Sequence, residues 1–124
     1  MRIAISGTSC QGKSTLVKDF LEQWPSYTTP EKTYRDIIAE NNLEHSSKTN
    51  KETQRKILDF QIEEQQKYRN GDNVLFDRCP LDNLVYSMWA CEQEGNDIDE
   101  EFVSSCLPLV RESFRNLDII FFVP

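Results

Sequence analysis

Apolar residues along this chain come as short unbroken runs alternating with longer stretches of period near 3.6, the patterns of buried strands and of amphipathic helices. Ile3-Ala4-Ile5 predicts a strand over residues 2–6. Leu16, Phe20 and Leu21 predict the buried side of a helix over about 12–24, stopped by Pro25. A short second strand is expected over about 26–29, and Pro30 leads into a helix ending near Asn41. Residues 42–47 are polar and aperiodic, the expected mobile loop. Thr49-Asn50-Lys51-Glu52 has the S/T-x-x-E pattern of a capping box and opens a helix to about Arg69, ended by Asn70-Gly71. That helix carries few apolar residues. Val74-Leu75-Phe76 centres a buried strand over 73–77, and Pro80 starts a helix with Leu84, Val85, Met88 and Trp89 expected to face inward. A helix over 97–115, kinked at Pro108, and an apolar strand over 118–123 complete the chain.

Strands alternating with helices specify an α/β fold, a parallel sheet of about four strands in three layers. With 124 residues the chain has room for one domain, and no repeat or linker divides it. A formal charge of −7 opposes attraction to nucleic acid or to anionic membranes, since both need clustered Lys and Arg. No apolar stretch has membrane-spanning length, and Met1-Arg2-Ile3 enters a strand instead of a secretion signal, so a cytoplasmic protein is expected. Cys10, Cys79, Cys91 and Cys106 form no C-x-x-C pair, and His45 stands alone among histidines, so the expectation is reduced thiols without structural zinc. Trp24, Trp89, Phe102 and Phe114 read as core or interface packing, and the acidic stretch 92–101 as a solvated turn and helix start.

Directly after the first strand stands Gly7-Thr8-Ser9-Cys10-Gln11-Gly12-Lys13-Ser14, a complete G-x-x-x-x-G-K-[ST] phosphate loop. Two glycines let the backbone turn several N–H groups inward as an anion nest. Lys13 adds a mobile positive charge for the β and γ phosphates, Ser14 a hydroxyl for Mg²⁺, and the following helix directs its positive dipole end at the same point. Binding of a nucleoside triphosphate is the expectation. Cys10 lies inside the loop, where its alkylation is expected to block that binding.

Asp77-Arg78 ends the third expected strand, beside the phosphate loop if that strand neighbours the first. There Asp77 can hold Mg²⁺ and Arg78 can fork onto a phosphate; the plainer alternative is a helix-capping Asp with an Arg paired to it. Glu31 follows the second expected strand, with Arg35 one turn on. A carboxylate at Glu31 can accept the proton of an attacking hydroxyl, with Arg35 on a substrate phosphate. Equally, Thr28-x-x-Glu31 is itself a capping-box pattern, and Glu31 with Arg35 an ordinary surface pair.

The loop from Gly7 through Thr15 to Leu16, the segment Pro30-Glu31-Lys32-Thr33-Tyr34-Arg35 and above all Phe76-Asp77-Arg78-Cys79-Pro80-Leu81-Asp82 resemble the ATPase/kinase domain of ribosylnicotinamide kinases and their phage and bacterial relatives, close to deoxynucleoside and thymidylate kinases. The resemblance implies ATP- and Mg²⁺-dependent phosphoryl transfer to a nucleoside, nucleotide or related small molecule. It places residues 7–15 on ATP, Lys13 and Ser14 at the phosphates and metal, Asp77 near the metal, Arg78 and Arg35 at the acceptor, and Glu31 as base. That family continues past its fourth strand into an arginine-bearing lid and a fifth strand, whereas this sequence stops at Pro124. Arg111 and Arg115 are expected on a helix surface, not as replacements. The expectation is therefore a domain lacking lid and fifth strand, completed by further chain or a partner subunit, or else a nucleotide-dependent switch without efficient turnover. An absent arginine can cost about 10³ to 10⁵ in rate.

Overall fold

The computed structural model describes residues 1–7, 12–41 and 49–124. Its element order is β1 (Arg2–Gly7), α1 (Lys13–Gln23), α2 (Tyr34–Glu40), α3 (Lys51–Gln66), β2 (Val74–Asp77), α4 (Pro80–Cys91), α5 (Glu100–Ser113), a 3-10 turn over Phe114–Asn116, and β3 (Ile119–Val123). The expected loop over 42–47, with His45, lies outside the described residues, as do Thr8, Ser9, Cys10 and Gln11.

β1 is the middle strand of a parallel sheet ordered β2-β1-β3. Its side chains alternate between faces, as strand geometry requires. Ile3 and Ile5 join Leu75 under Val17, Phe20 and Leu21 of α1, while Ala4 joins Val74, Phe76 and Cys79 on the opposite face. Behind that second face, Leu58, Leu84, Cys106 and Val110 weld α3, α4 and α5 into one layer. The result is the expected three-layer α/β architecture. Its sheet has three strands among the described residues, because the segment expected as a second strand contributes one parallel bridge, Thr28 to Val74. Thr28 donates its N–H to Asn73 O and accepts from Leu75 N, and two residues later Pro30 has no N–H with which to continue the ladder.

Several faces differ from the periodicity. Leu16 is exposed and Val17 packs in its place, since Lys13, one turn before Val17, is drawn inward and sets the rotation of α1. On α4 the reversal is larger: Leu84 is buried as expected, but Val85, Met88 and Trp89 are exposed, and the inner face carries Asn83, Ser87 and Ala90. Asn83 Nδ2 donates to the backbone oxygen of Gln54 at 3.0 Å, a tie to α3 that fixes which side of α4 is buried. Trp24 and Phe114 are also exposed, Trp24 lying against Phe20. Helix starts move by a residue or more. Asn50, not Thr49, caps α3 by accepting from Thr53 N, and α2 begins after Thr33, which forms the capping box with Asp36 that Thr28 and Glu31 do not. Pro108 lies inside α5, which starts at an Asp99 cap. No described helix is long and apolar enough to cross a membrane.

Candidate nucleotide and acceptor site

The carboxyl ends of β1 and β2 meet the amino end of α1, the place where parallel α/β sheets bind ligands. Gly7 closes β1 opposite Val123, at φ +146°, and a Cβ there would drive into the Val123 carbonyl oxygen. Only glycine lets β1 turn into the phosphate loop this close to β3. Gly12, at φ 78° in the left-handed region, caps α1 with its backbone.

Lys13, on the first turn of α1, is only 5% exposed, and its Nζ donates to Gly7 O at 2.7 Å. Burial, reinforced by the nearby Arg78 and Arg35 cations, lowers its pKa from the ordinary lysine value, with Asp82 and Asp77 opposing. Lys13, Gly12, Ser14, Thr15, Arg35, Asp77 and Arg78 line a cavity of about 210 Å³. In a chain of net charge −7, three cations thus converge at a helix amino terminus, an arrangement suited to a polyphosphate.

Parallel register sets Asp77 beside Ile5, which confirms that the Asp77-Arg78 strand end neighbours the loop. Arg78 takes φ 78°, the one described non-glycine residue with positive φ, while its N–H donates to Ile5 O at 2.9 Å. A left-handed backbone at such a residue costs roughly 1–2 kcal/mol, and strain of this kind concentrates where side-chain direction matters for function. Asp77 Oδ1 is buried without a hydrogen-bond partner. An orphaned carboxylate oxygen in one cavity with the Ser14 hydroxyl suits a hard divalent cation that takes its remaining ligands from phosphate and water, so Mg²⁺ fits these residues.

A second cavity, of about 180 Å³, shares Asp77 and Arg78 with the first and reaches between the segment before α2 (Thr29, Pro30) and the inner face of α3 (Phe60, Gln61, Gln65). Glu31 lines neither. It lines a third depression with Lys32, Glu64, Lys67 and Tyr68, which adjoins the second cavity across Lys32 and Glu64. The structure therefore brings together Lys13, Ser14, Thr15, Arg35, Asp77 and Arg78 and places Glu31 in the depression next to the second cavity, not in the cavity at the phosphate loop.

One contributor escaped the sequence reasoning. Asp82 Oδ1 accepts from Ser6 Oγ and from Gly7 N, each at 2.9 Å, while its Oδ2 accepts from Cys79 N at 2.9 Å. It pins the start of the phosphate loop to the start of α4. A signal existed: Cys79-Pro80-Leu81-Asp82 is a capping box with Cys where Ser or Thr is usual. The Cys79 thiol, buried and next to Asp82, has its pKa pushed up to about 12, which leaves it protonated and inert.

A family model described as an AAA domain matches residues 2–122. No curated protein matches the chain. The crystal structure of NadR protein in complex with NR superposes with a TM-score of 0.73 at 16% identity, over 98% of this chain and 33% of that one. This chain thus spans about a third of NadR. Deoxyadenosine kinase from M. mycoides, solved with the products dCMP and a flexible dCDP, superposes with a TM-score of 0.55 at 16% identity, over 100% of this chain and 90% of that one. At such identity the likeness is one of fold, which this chain shares with NadR and deoxyadenosine kinase, and the family model, matching nearly the whole length, shows that the chain belongs to the AAA-domain family.

Proposed function

We propose that this chain is an ATP-dependent kinase that moves the γ-phosphoryl group of ATP onto a hydroxyl of a nucleoside, nucleotide or related small molecule. The observation that carries this reading is the shared wall. A cationic cavity at the phosphate loop and a second cavity against α3 meet across Asp77 and Arg78, so groups held in the two would face one another there.

In this reading residues 7–15 hold the nucleotide phosphates. Lys13, Arg35 and Arg78 neutralise charge that spreads over the transferring group, and the amino end of α1 adds its dipole. Ser14 and Asp77 would hold Mg²⁺, which when bound supplies charge neutralisation at the phosphate oxygens. Phosphoryl transfer passes through a loose transition state in which positioning and electrostatics outweigh proton abstraction. Glu31, outside both cavities, is accordingly the least essential of the carboxylates assigned a role.

The test supplies γ-labelled ATP and Mg²⁺ with a panel of nucleosides, nucleotides and an oligonucleotide. Label should move to a small acceptor, fall by about 10² or more in Asp77→Asn, and stay within about tenfold in Glu31→Gln. Release of free phosphate alone, or tight binding of ATP with no turnover, would overturn the kinase reading in favour of a nucleotide-dependent switch. Labelling of the oligonucleotide alone would overturn the small-molecule acceptor.

A further inference from the structure

Edge strands of natural sheets are guarded by Lys or Pro, by a bulge or by a covering element, because a row of open N–H and C=O groups pairs with strands it meets. β3 carries no such guard. From Ile119 to Val123 it reads Ile-Ile-Phe-Phe-Val, without a charge, a proline or a glycine. Among the described residues it pairs with β1 on one side and with no strand on the other. Strand alternation puts Phe121 on the α1 face with Ile119 and Val123, and Phe122 on the opposite face with Ile120. Both rings stand out, Phe121 50% exposed and Phe122 69%.

An exposed ring on each side of one edge restricts what can cover it. A helix or loop laid over one face leaves the other ring in water, and a strand of alternating apolar and polar side chains sets polar groups against one of the two rings. A strand apolar on both faces satisfies the backbone edge and both rings together. β3 is itself such a strand. We propose that β3 pairs antiparallel with β3 of a second copy of this chain across a two-fold axis, joining two three-stranded sheets into one of six strands. With the axis at Phe121, each Phe121 faces its counterpart, Phe122 faces Ile120 and Ile119 faces Val123, so every opposed pair is apolar.

Charge favours the same contact. Two chains of net charge −7 repel one another, yet pairing along this strand sets no carboxylate against another, and the adjoining Asp118 is already paired with Arg2 at 3.2 Å. Area sets the strength. A phenylalanine buries about 150–250 Å², so the exposed parts of the four rings supply roughly 400–600 Å² before the backbone edge is added. Such a contact belongs at the small end of specific interfaces, below about 1,200 Å², and makes a reversible dimer.

Sedimentation velocity on the full chain from about 1 to about 300 μM should show monomer passing to dimer and no further. Association should strengthen as NaCl rises from about 0.05 to about 0.5 M, because screening removes the repulsion between two acidic chains. Phe122→Lys, which places a cation on the edge, should weaken association about tenfold or more, with circular dichroism reporting the fold. Under a mild oxidant Phe121→Cys should give a dimer whose peptide map shows a bridge between the two copies at position 121, since opposed residues stand about 4.5–5.5 Å apart between Cα atoms, within the span of a disulfide. Val85→Cys, exposed on α4, should not crosslink. A monomer throughout, growth beyond the dimer, association that survives Phe122→Lys in folded protein, or crosslinking at Phe121→Cys no greater than at Val85→Cys would each overturn the pairing. Should Phe122→Lys fail to fold, the crosslinking comparison decides.

Discussion

Replacing Asp82 by Asn exchanges one oxygen for an NH₂ and leaves shape almost unchanged, so its consequences isolate the carboxylate. In the native chain that carboxylate accepts three hydrogen bonds, from Ser6 Oγ, Gly7 N and Cys79 N, each at 2.9 Å. Bonds to a charged acceptor contribute about 1.5–3 kcal/mol each, and a donor left unsatisfied costs about 1–3. If the Asn oxygen stays toward Ser6 and Gly7, its Nδ2 opposes the N–H of Cys79, one charge-assisted bond is lost and two are weakened. If the amide flips, two are lost and one is weakened. The milder case amounts to roughly 2–4 kcal/mol against a total stability on the order of 5–15 kcal/mol. Urea denaturation of Asp82→Asn should show an unfolding free energy lowered by that amount, with the midpoint shifted down at unchanged m-value. Ser6→Ala, which removes one donor of the three, should cost about 1 kcal/mol. The two substitutions should be non-additive by about 0.5 kcal/mol or more, because both act on one oxygen. Mg-ATP affinity should fall in Asp82→Asn as well, since Gly7, where the phosphate loop begins, is held by this carboxylate. An unfolding free energy within about 0.5 kcal/mol of the unmodified chain, or strict additivity with Ser6→Ala, would refute the view that Asp82 pins the loop to α4.

Further outcomes follow from three particular residues. Gly7→Ala should destabilise by about 3 kcal/mol or more in the same denaturation assay, because positive φ and the Val123 carbonyl both oppose a Cβ; a loss below about 1 kcal/mol would contradict the close approach of β1 and β3. Lys13, its pKa lowered by burial, loses its proton in the native chain before it does in the unfolded chain. The unfolded chain then holds more protons, so stability rises with pH between the native value and 10.5, a rise that Lys13→Met should abolish. Polyphosphate favours charged Lys13, so above that native value Mg-ATP binding should take up a proton, visible as a buffer-dependent heat in calorimetry. Asp118 has its pKa lowered by the Arg2 guanidinium and backbone N–H, a tie between the starts of β1 and β3. Its contribution is complete above the ordinary value of 3.8 and is lost as pH falls through the depressed native one, so urea midpoints of Asp118→Asn should change less between about pH 5 and about pH 2 than those of the unmodified chain.

Local chemistry was readable in one dimension. The phosphate loop is contiguous, its glycines and lysine serve a geometry spanning a few residues, and strand–loop–helix order follows from the switch between unbroken and 3.6-period apolar patterns. For that reason the chain alone specified the layered α/β class and the positions of Gly7, Gly12, Lys13 and Ser14, and Asp77 at a strand end needed only the neighbour that the β1–β2 register supplied. Facing and partnership were decided elsewhere. Periodicity shows that a helix has two sides, but the buried side of α4 is set by the bond from Asn83 to Gln54, 29 positions away, which turns Val85, Met88 and Trp89 to solvent. The bond from Ser6 to Asp82 spans 76 positions, and the two cavities meet across Asp77 and Arg78 only once β2 lies beside β1. Polar burial of this kind depends on which groups meet in space, and a residue's own identity, Asp or Gln, reads as solvent-exposed until the fold brings its partners to it.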